Sequence, residues 1–222
     1  KNVDFIRDIP NISSREGYII KHHPQLLKNF QNIIGGEYIV SKDGEINYVP
    51  TGKRTKLSLV ESSSAVRSLL DVGFYLRHIA QPGDLLMIDE PELNLHPENQ
   101  RKIARLFVSL INIGIKVFIS THSDYIIKEL NTLIMLNQDK AHLKKIMKEE
   151  KYSEDELLDA DKVKVYIARE DKIKKAGNKR RSTCLTLVPA GIDPELGIEA
   201  ESFDITIDKM NRIQDEIVWG DE

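Results

Sequence analysis

Leu85-Leu86-Met87-Ile88-Asp89-Glu90-Pro91 decides how this chain folds. Four apolar residues in a row fit a short strand buried on both faces of a parallel sheet. The two acids that end the run then fall at the carboxyl edge of the sheet, where open α/β sheets bind ligands. Pro97 suits the first turn of a helix, and Ile103, Leu106, Phe107, Leu110 and Ile111 repeat at the spacing of one buried helical face. Gly114 ends that helix, and Ile115-Lys116-Val117-Phe118-Ile119 reads as a second buried strand, closed by Ser120-Thr121-His122-Ser123. A helix from about Ser123 to Leu133 follows. Strand, helix, strand, helix at short spacing specifies a parallel α/β sheet. Parallel neighbours joined by a crossover helix end on the same edge, so His122 is expected close to Glu90.

Outward from this core the texture changes twice. Residues 1–34 read as helix and loop broken by Pro10 and Pro24. Glu37–Val40 and Glu45–Val49 then form an antiparallel hairpin across Ser41-Lys42-Asp43-Gly44, with Thr55–Val60 as a third strand. Ser64 to about Ala80 is helical. After residue 137, a charged and helical stretch (140–162) precedes two strands, Val163–Ala168 and Thr183–Val188. These flank Lys172–Arg181, which carries six basic and no acidic side chains. Residues 193–222 hold ten acids against two bases, with an apolar stripe of Ile205, Met210, Ile213 and Ile217. The expected organisation is a helix, loop and hairpin region (1–54), a parallel α/β core (55–137) and an α+β appendage (138–222).

Composition narrows the class. The 222 residues are 41% apolar and 30% charged, with a net charge of -3, too apolar for disorder and too neutral for coating nucleic acid by charge alone. A lone cysteine, Cys184, excludes an internal disulfide framework and fits a reducing compartment. No run approaches the roughly 18 apolar residues of a membrane helix, and no signal peptide is read, so a cytoplasmic setting without a membrane is expected.

Two carboxylates side by side at a strand end suit phosphoryl transfer. One holds Mg²⁺ and the next orients or deprotonates the attacking water. A plainer reading makes Asp89 and Glu90 caps for the helix that begins near Pro97. His122 ends the neighbouring strand at the same rim, where an imidazole can hydrogen-bond a γ-phosphate or the water. Glu61-Ser62-Ser63-Ser64-Ala65 falls at a strand-to-helix turn, where hydroxyls and free backbone N–H groups can meet an anion or simply cap the helix.

Taken together, Ser62–Ser64, Leu85–Pro91 and Ser120–Ser123 resemble the second half of an ABC-type ATPase head. The likeness is greatest to the SMC-like and OLD-like bacterial AAA-family ATPases of phage-defence systems, whose strings read I-D-E-P-E-x-x-L-H-P and S-T-H-S. Here the strings are Ile88-Asp89-Glu90-Pro91-Glu92-Leu93-Asn94-Leu95-His96-Pro97 and Ser120-Thr121-His122-Ser123, within a match of roughly residues 55–135. The resemblance implies a P-loop NTPase core in which Asp89 is the Walker B magnesium residue, Glu90 the general base and His122 the switch histidine. It places His96 in the D-loop and Ser62, Ser63 and Ser64 at the signature segment, which touches nucleotide held by the opposite protomer. ATP and Mg²⁺ are the implied cofactors. A head-to-tail dimer or higher homo-oligomer, acting on an effector protein or DNA, is the implied assembly.

One departure stands at the signature segment: the family has glycine after the signature serine, where this chain reads Ser-Ser-Ser-Ala. Either Ser62 or Ser63 matches that serine. The phosphate loop G-x-x-x-x-G-K-S/T is also missing, since Gly52-Lys53 is followed by Arg54 and sits between strands. With no initiating Met, the chain is expected to be the C-terminal part of a longer ATPase and unable to hydrolyse ATP alone. The alternative is a scaffold that binds ATP or a partner without turnover. In the basic run, Lys174, Lys175, Lys179, Arg180 and Arg181 are either a solvated hairpin tip or a contact for DNA or an acidic partner. Asp159-Ala160-Asp161 lacks the preceding apolar strand that a Toprim nuclease needs, so no nuclease is expected here.

Overall fold

The computed structural model describes residue 12 and residues 16–41, 43–173, 182–199 and 201–220. It divides into two compact units, one of the described residues up to 129 with 151–157, the other of 130–150 with those from 158 onward. The architecture is mixed α/β with a parallel strand pair.

The first unit opens with two helices, α1 (Tyr18–His22) and α2 (Pro24–Ile34). Pro24 starts α2 at the position where a missing N–H costs nothing, and Gly35 ends it in the left-handed conformation at φ 71°. Its apolar face, Leu26, Phe30, Ile33 and Ile34, is buried. The expected hairpin follows as β1 (Gly36–Val40) and β2 (Ile46–Pro50), paired antiparallel with Tyr38 opposite Tyr48. The third strand is shorter than Thr55–Val60. Only β3 (Leu57–Ser58) pairs with β2, because the chain turns at once: Ser58 donates from its N–H and its hydroxyl to the Glu61 carboxylate, at 2.9 and 2.8 Å.

The single helix expected over 64–80 is three pieces: α3 (Ser64–Ser68), α4 (Leu70–Phe74) and a π-helical turn (Tyr75–Ile79). Leu69 breaks the run with ψ 7°, and Ala80 donates five residues back to the Tyr75 carbonyl at 2.8 Å. Gly73 is fixed by packing, since a Cβ there would lie 2.7 Å from the Tyr38 ring. The Tyr38 hydroxyl donates 2.5 Å to the Val66 carbonyl and so anchors α3 on the hairpin.

The parallel pair is β4 (Leu85–Asp89) and β5 (Lys116–Ser120), in register from Leu85 opposite Lys116 to Asp89 opposite Ser120. The crossover is α5 (Pro97–Asn112), which buries Ile103, Leu106, Phe107 and Leu110. The pair differs from the expectation of burial on both faces. Leu85, Met87 and Phe118 are 59%, 64% and 58% exposed, on the face that also carries Asp89 and Ser120. Their alternate neighbours are only half-buried. Among the described residues, nothing of this unit covers that apolar face.

Residues 151–157 belong to the first unit because α5 clamps them. Arg105 donates to Glu156 at 2.6 Å and its guanidinium lies 4.3 Å from the Tyr152 ring centroid, while Asn112 donates to the carbonyls of Asp155 and Leu157. Arg101 binds Glu129 at 2.6 Å and the Tyr152 hydroxyl at 3.0 Å. Glu129 is 2% exposed, so removing Arg101 would strand a buried carboxylate at a cost of about 3–5 kcal/mol.

A helix α6 (Asp124–Leu136) follows β5, then α7 (Ala141–Glu149) and two short 3₁₀ turns, Glu154–Glu156 and Ala160–Lys162. In the second unit, β6 (Tyr166–Ile173) and β7 (Ser182–Pro189) pair antiparallel, with Ile173 opposite Ser182. A two-residue pair, β8 (Ile192–Asp193) with β9 (Gly197–Ile198), precedes α8 (Glu201–Trp219). The buried centre of this unit includes Leu133, Ile134, Leu158 and Ile198. Asn131 fastens β9 by accepting from the Ile198 N–H at 2.8 Å. Among the described residues, no helix is long and apolar enough to cross a membrane.

Candidate functional site

The ends of β4 and β5 form one rim. Asp89 is exposed there, and the Ser120 hydroxyl donates to its carboxylate across the strand pair. Glu90 follows in the left-handed region at φ 47°, a conformation that costs a non-glycine residue roughly 1–2 kcal/mol. It is held there by its own N–H, which donates to the Ser120 carbonyl at 3.0 Å. The turn re-aims the Glu90 side chain towards the next loop, where His122 Nε2 lies 3.5 Å from Glu90 Oε1. The structure thus brings Asp89, Glu90 and His122 together, as the parallel crossover requires.

The serine segment resolves into different environments. Ser62 is buried and its hydroxyl donates to the Ser58 carbonyl at 2.9 Å, so that hydroxyl is spent inside the turn. Ser63 is exposed and caps α3, accepting from the Val66 N–H at 3.3 Å. Ser64 is exposed and accepts from Arg67 at 3.1 Å. Just before it, the Ser58 N–H and hydroxyl hold the Glu61 carboxyl below the usual range. His96 is exposed and caps α5, its Nδ1 accepting from the Glu98 N–H at 3.3 Å.

Gly52-Lys53 lies in the turn after β2, where the Lys53 N–H donates to the Pro50 carbonyl at 3.1 Å. Asp159 caps the second 3₁₀ turn, accepting from the Asp161 N–H at 3.0 Å. Lys174, Lys175, Lys179, Arg180 and Arg181 lie outside the described residues.

Sequence reasoning passed over three polar residues that build the rim. Ser120 was visible only as part of the string that contains His122, yet it holds both Asp89 and Glu90. Glu92 accepts from the Thr121 hydroxyl at 2.8 Å and from the His122 N–H at 2.7 Å. Gln100 accepts from the Ser123 hydroxyl at 2.5 Å and donates to the Leu95 carbonyl at 2.9 Å. The two motif strings are therefore knitted to each other. The available signal was that both strings carry polar residues in excess of what caps require.

Among the described residues, no group of three or more His, Cys, Asp or Glu side chains is gathered to hold a metal ion. A Mg²⁺ that shares its coordination with substrate phosphates needs only one or two carboxylates. An exposed strand-end carboxylate such as Asp89 meets that lesser demand.

A protein-family model described as "AAA ATPase domain" matches residues 5–127, which includes this whole rim. Among curated proteins, none matches. One solved structure, from a study of the ATP-driven dimerization and DNA-stimulated activation of SMC ATPases, aligns with a TM-score of 0.44 and 14% identity. It covers 96% of this chain and 98% of that chain.

Proposed function

This chain belongs to the AAA ATPase domain family, and on that premise we propose that it carries out ATP hydrolysis at the rim of Asp89, Glu90 and His122. The observation that carries the reading is Glu90, a non-glycine residue at φ 47°, 3.5 Å from His122 at the end of a parallel strand. Backbone strain of that kind persists where the surrounding structure enforces it, and active sites are where it concentrates.

Asp89 is the residue to hold Mg²⁺, which when bound would draw negative charge from the phosphate oxygens. Glu90 accepts a proton from water as that water forms a bond to the γ-phosphorus. The bond from the γ-phosphorus to its bridging oxygen breaks, and ADP leaves. His122 donates a hydrogen bond to the γ-phosphate and senses its presence. Ser63 and Ser64, whose exposed hydroxyls flank the start of α3, are the better candidates than Ser62 for contact with nucleotide on a second copy. His96 is the further candidate for that role.

The phosphate loop, which these 222 residues do not contain, would be supplied by another stretch of polypeptide. The uncovered apolar face of Leu85, Met87 and Phe118 supports this, because it is the face on which Asp89 projects. Covering each such side chain would contribute about 1.5–3 kcal/mol. The resulting ATPase acts as a dimeric switch on an effector or DNA, in a phage-defence setting suggested by the motif strings.

Glu90→Gln in the natural full-length protein tests the reading. Turnover should fall by about 10²–10³-fold while ATP binding is retained. Undiminished turnover would instead favour a scaffold that holds nucleotide or a partner.

A further inference from the structure

Glu92 is 9% exposed, and one of its carboxylate oxygens, Oε2, is buried with no hydrogen-bond partner among the described residues. Its other oxygen accepts two bonds, from the Thr121 hydroxyl at 2.8 Å and from the His122 backbone N–H at 2.7 Å. Burying a carboxylate is expensive unless hydrogen bonds repay it, and half of this one is left unrepaid. A single acceptor oxygen that serves both donors has to cross from its own turn to another loop, and burial alone gives no reason for so long a side chain there.

The geometry around it supplies one. Glu92 lies in the same tight turn as Glu90, where the Leu93 N–H donates to the Glu90 carbonyl at 3.1 Å and the Leu95 N–H to the Glu92 carbonyl at 3.0 Å. Its side chain reaches out of that turn and grips the backbone of the loop that bears His122. The His122 imidazole is exposed, so apart from its approach to Glu90 its place is set by where its own backbone is held. The tie continues into Ser123, whose N–H donates to the same Thr121 Oγ1 at 3.0 Å and whose hydroxyl donates to Gln100.

We propose that Glu92 is a positioning residue that ties His122 to the Glu90 turn, so that base and γ-phosphate sensor keep one geometry. The assignment rests on the ATPase reading above. Glu92 touches no reacting atom in this scheme. It acts through reach and hydrogen-bond acceptance rather than through charge.

The test measures ATP turnover of the natural full-length protein with Glu92 changed to Gln, Asp and Ala. Glutamine keeps the length and an acceptor oxygen, whereas aspartate keeps the charge but retracts the carboxylate by one methylene. The expected order of kcat is Gln, then Asp, then Ala. Ala should lose about 10–100-fold and leave KM for ATP within about threefold, as misplacement by an ångström does. Gln should recover at least about tenfold of the Ala loss. On a His122→Ala background, Glu92→Ala should cost nothing further, because its effect runs through that residue.

An Asp variant that equals or exceeds Gln overturns the proposal. So does a loss from Glu92→Ala that multiplies undiminished onto His122→Ala. The Gln and Asp comparison decides the matter if Glu92→Ala does not fold. Two controls separate this from the parent reading. If the wild type shows no turnover, or Glu90→Gln keeps it, the ATPase reading itself falls and takes the assignment with it. If both controls behave and the order is reversed, only the role of Glu92 falls.

Discussion

Asp89 and Ser120 lie opposite one another in the parallel register of β4 and β5, and the Ser120 hydroxyl donates to the Asp89 carboxylate. The carboxylate is thereby held in one orientation at the rim before any ligand arrives, which reduces the ordering cost of binding a cation. Ser120→Ala removes that hydroxyl but leaves the backbone carbonyl that receives the Glu90 N–H. The Mg²⁺ concentration giving half-maximal turnover should rise about tenfold in the full-length protein, with kcat at saturating Mg²⁺ little changed. Titrating MgCl₂ at fixed ATP measures it. An unchanged midpoint would mean that the Ser120 hydroxyl does nothing to prepare Asp89 for a metal.

Glu90 offers a second test, because its backbone and its side chain pull in opposite directions. Glycine adopts φ 47° without the Cβ clash, so Glu90→Gly relieves about 1–2 kcal/mol of strain. The added freedom of the unfolded chain takes back about 0.4–1 kcal/mol. The variant should therefore be more stable than the wild type in denaturant unfolding, by up to about 1.6 kcal/mol, while losing turnover. A destabilised variant would show that the left-handed turn carries no strain.

This pair of residues also shows what the sequence could and could not disclose. The continuous apolar runs at Leu85–Ile88 and Ile115–Ile119 sufficed for parallel strands, and crossover topology then placed His122 beside Glu90. The same runs misled about burial, because apolar residues report what a strand tends to bury and not what lies over it. Leu85, Met87 and Phe118 therefore read as core and stand exposed. The helix over 64–80 was legible as apolar periodicity, but its break at Leu69 and its π-turn leave no mark in that periodicity. Glu92 and Gln100 were invisible as site residues, since long side chains that grip another loop have no sequence spacing to betray them.

Asp71, in the first turn of α4, provides the pH dependence. Burial pushes its carboxyl above the ordinary 3.8. A folded value above the unfolded one means the protonated form is preferred on folding. Its contribution is present in full below about 3.8 and is lost as pH rises through the higher folded value. At pH 7 the residue is thus a liability, and Asp71→Asn should raise Tm there. The gain should shrink to nothing as the pH is brought down through the carboxylate range. Thermal melts of both proteins across that range check the sign. A gain that is independent of pH would trace to something other than titration.

The last prediction concerns the bare face of the parallel pair. Met87 is 64% exposed, lies between Leu85 and Asp89 on that face and stands opposite Phe118 in register. If the face meets only water, Met87→Lys is a surface change worth less than about 0.5 kcal/mol. If further polypeptide packs over it, the same change buries an ammonium group without a partner, and the cost becomes several kcal/mol. We expect the second result in the full-length protein, read as a large fall in Tm, together with lost ATP binding if the covering segment also carries the phosphate loop. Met87→Leu is the control, because it preserves the apolar character and should cost under about 1.5 kcal/mol. Tolerance of lysine with normal nucleotide binding would leave the face open to solvent and remove the support it lends to a loop supplied from outside this chain.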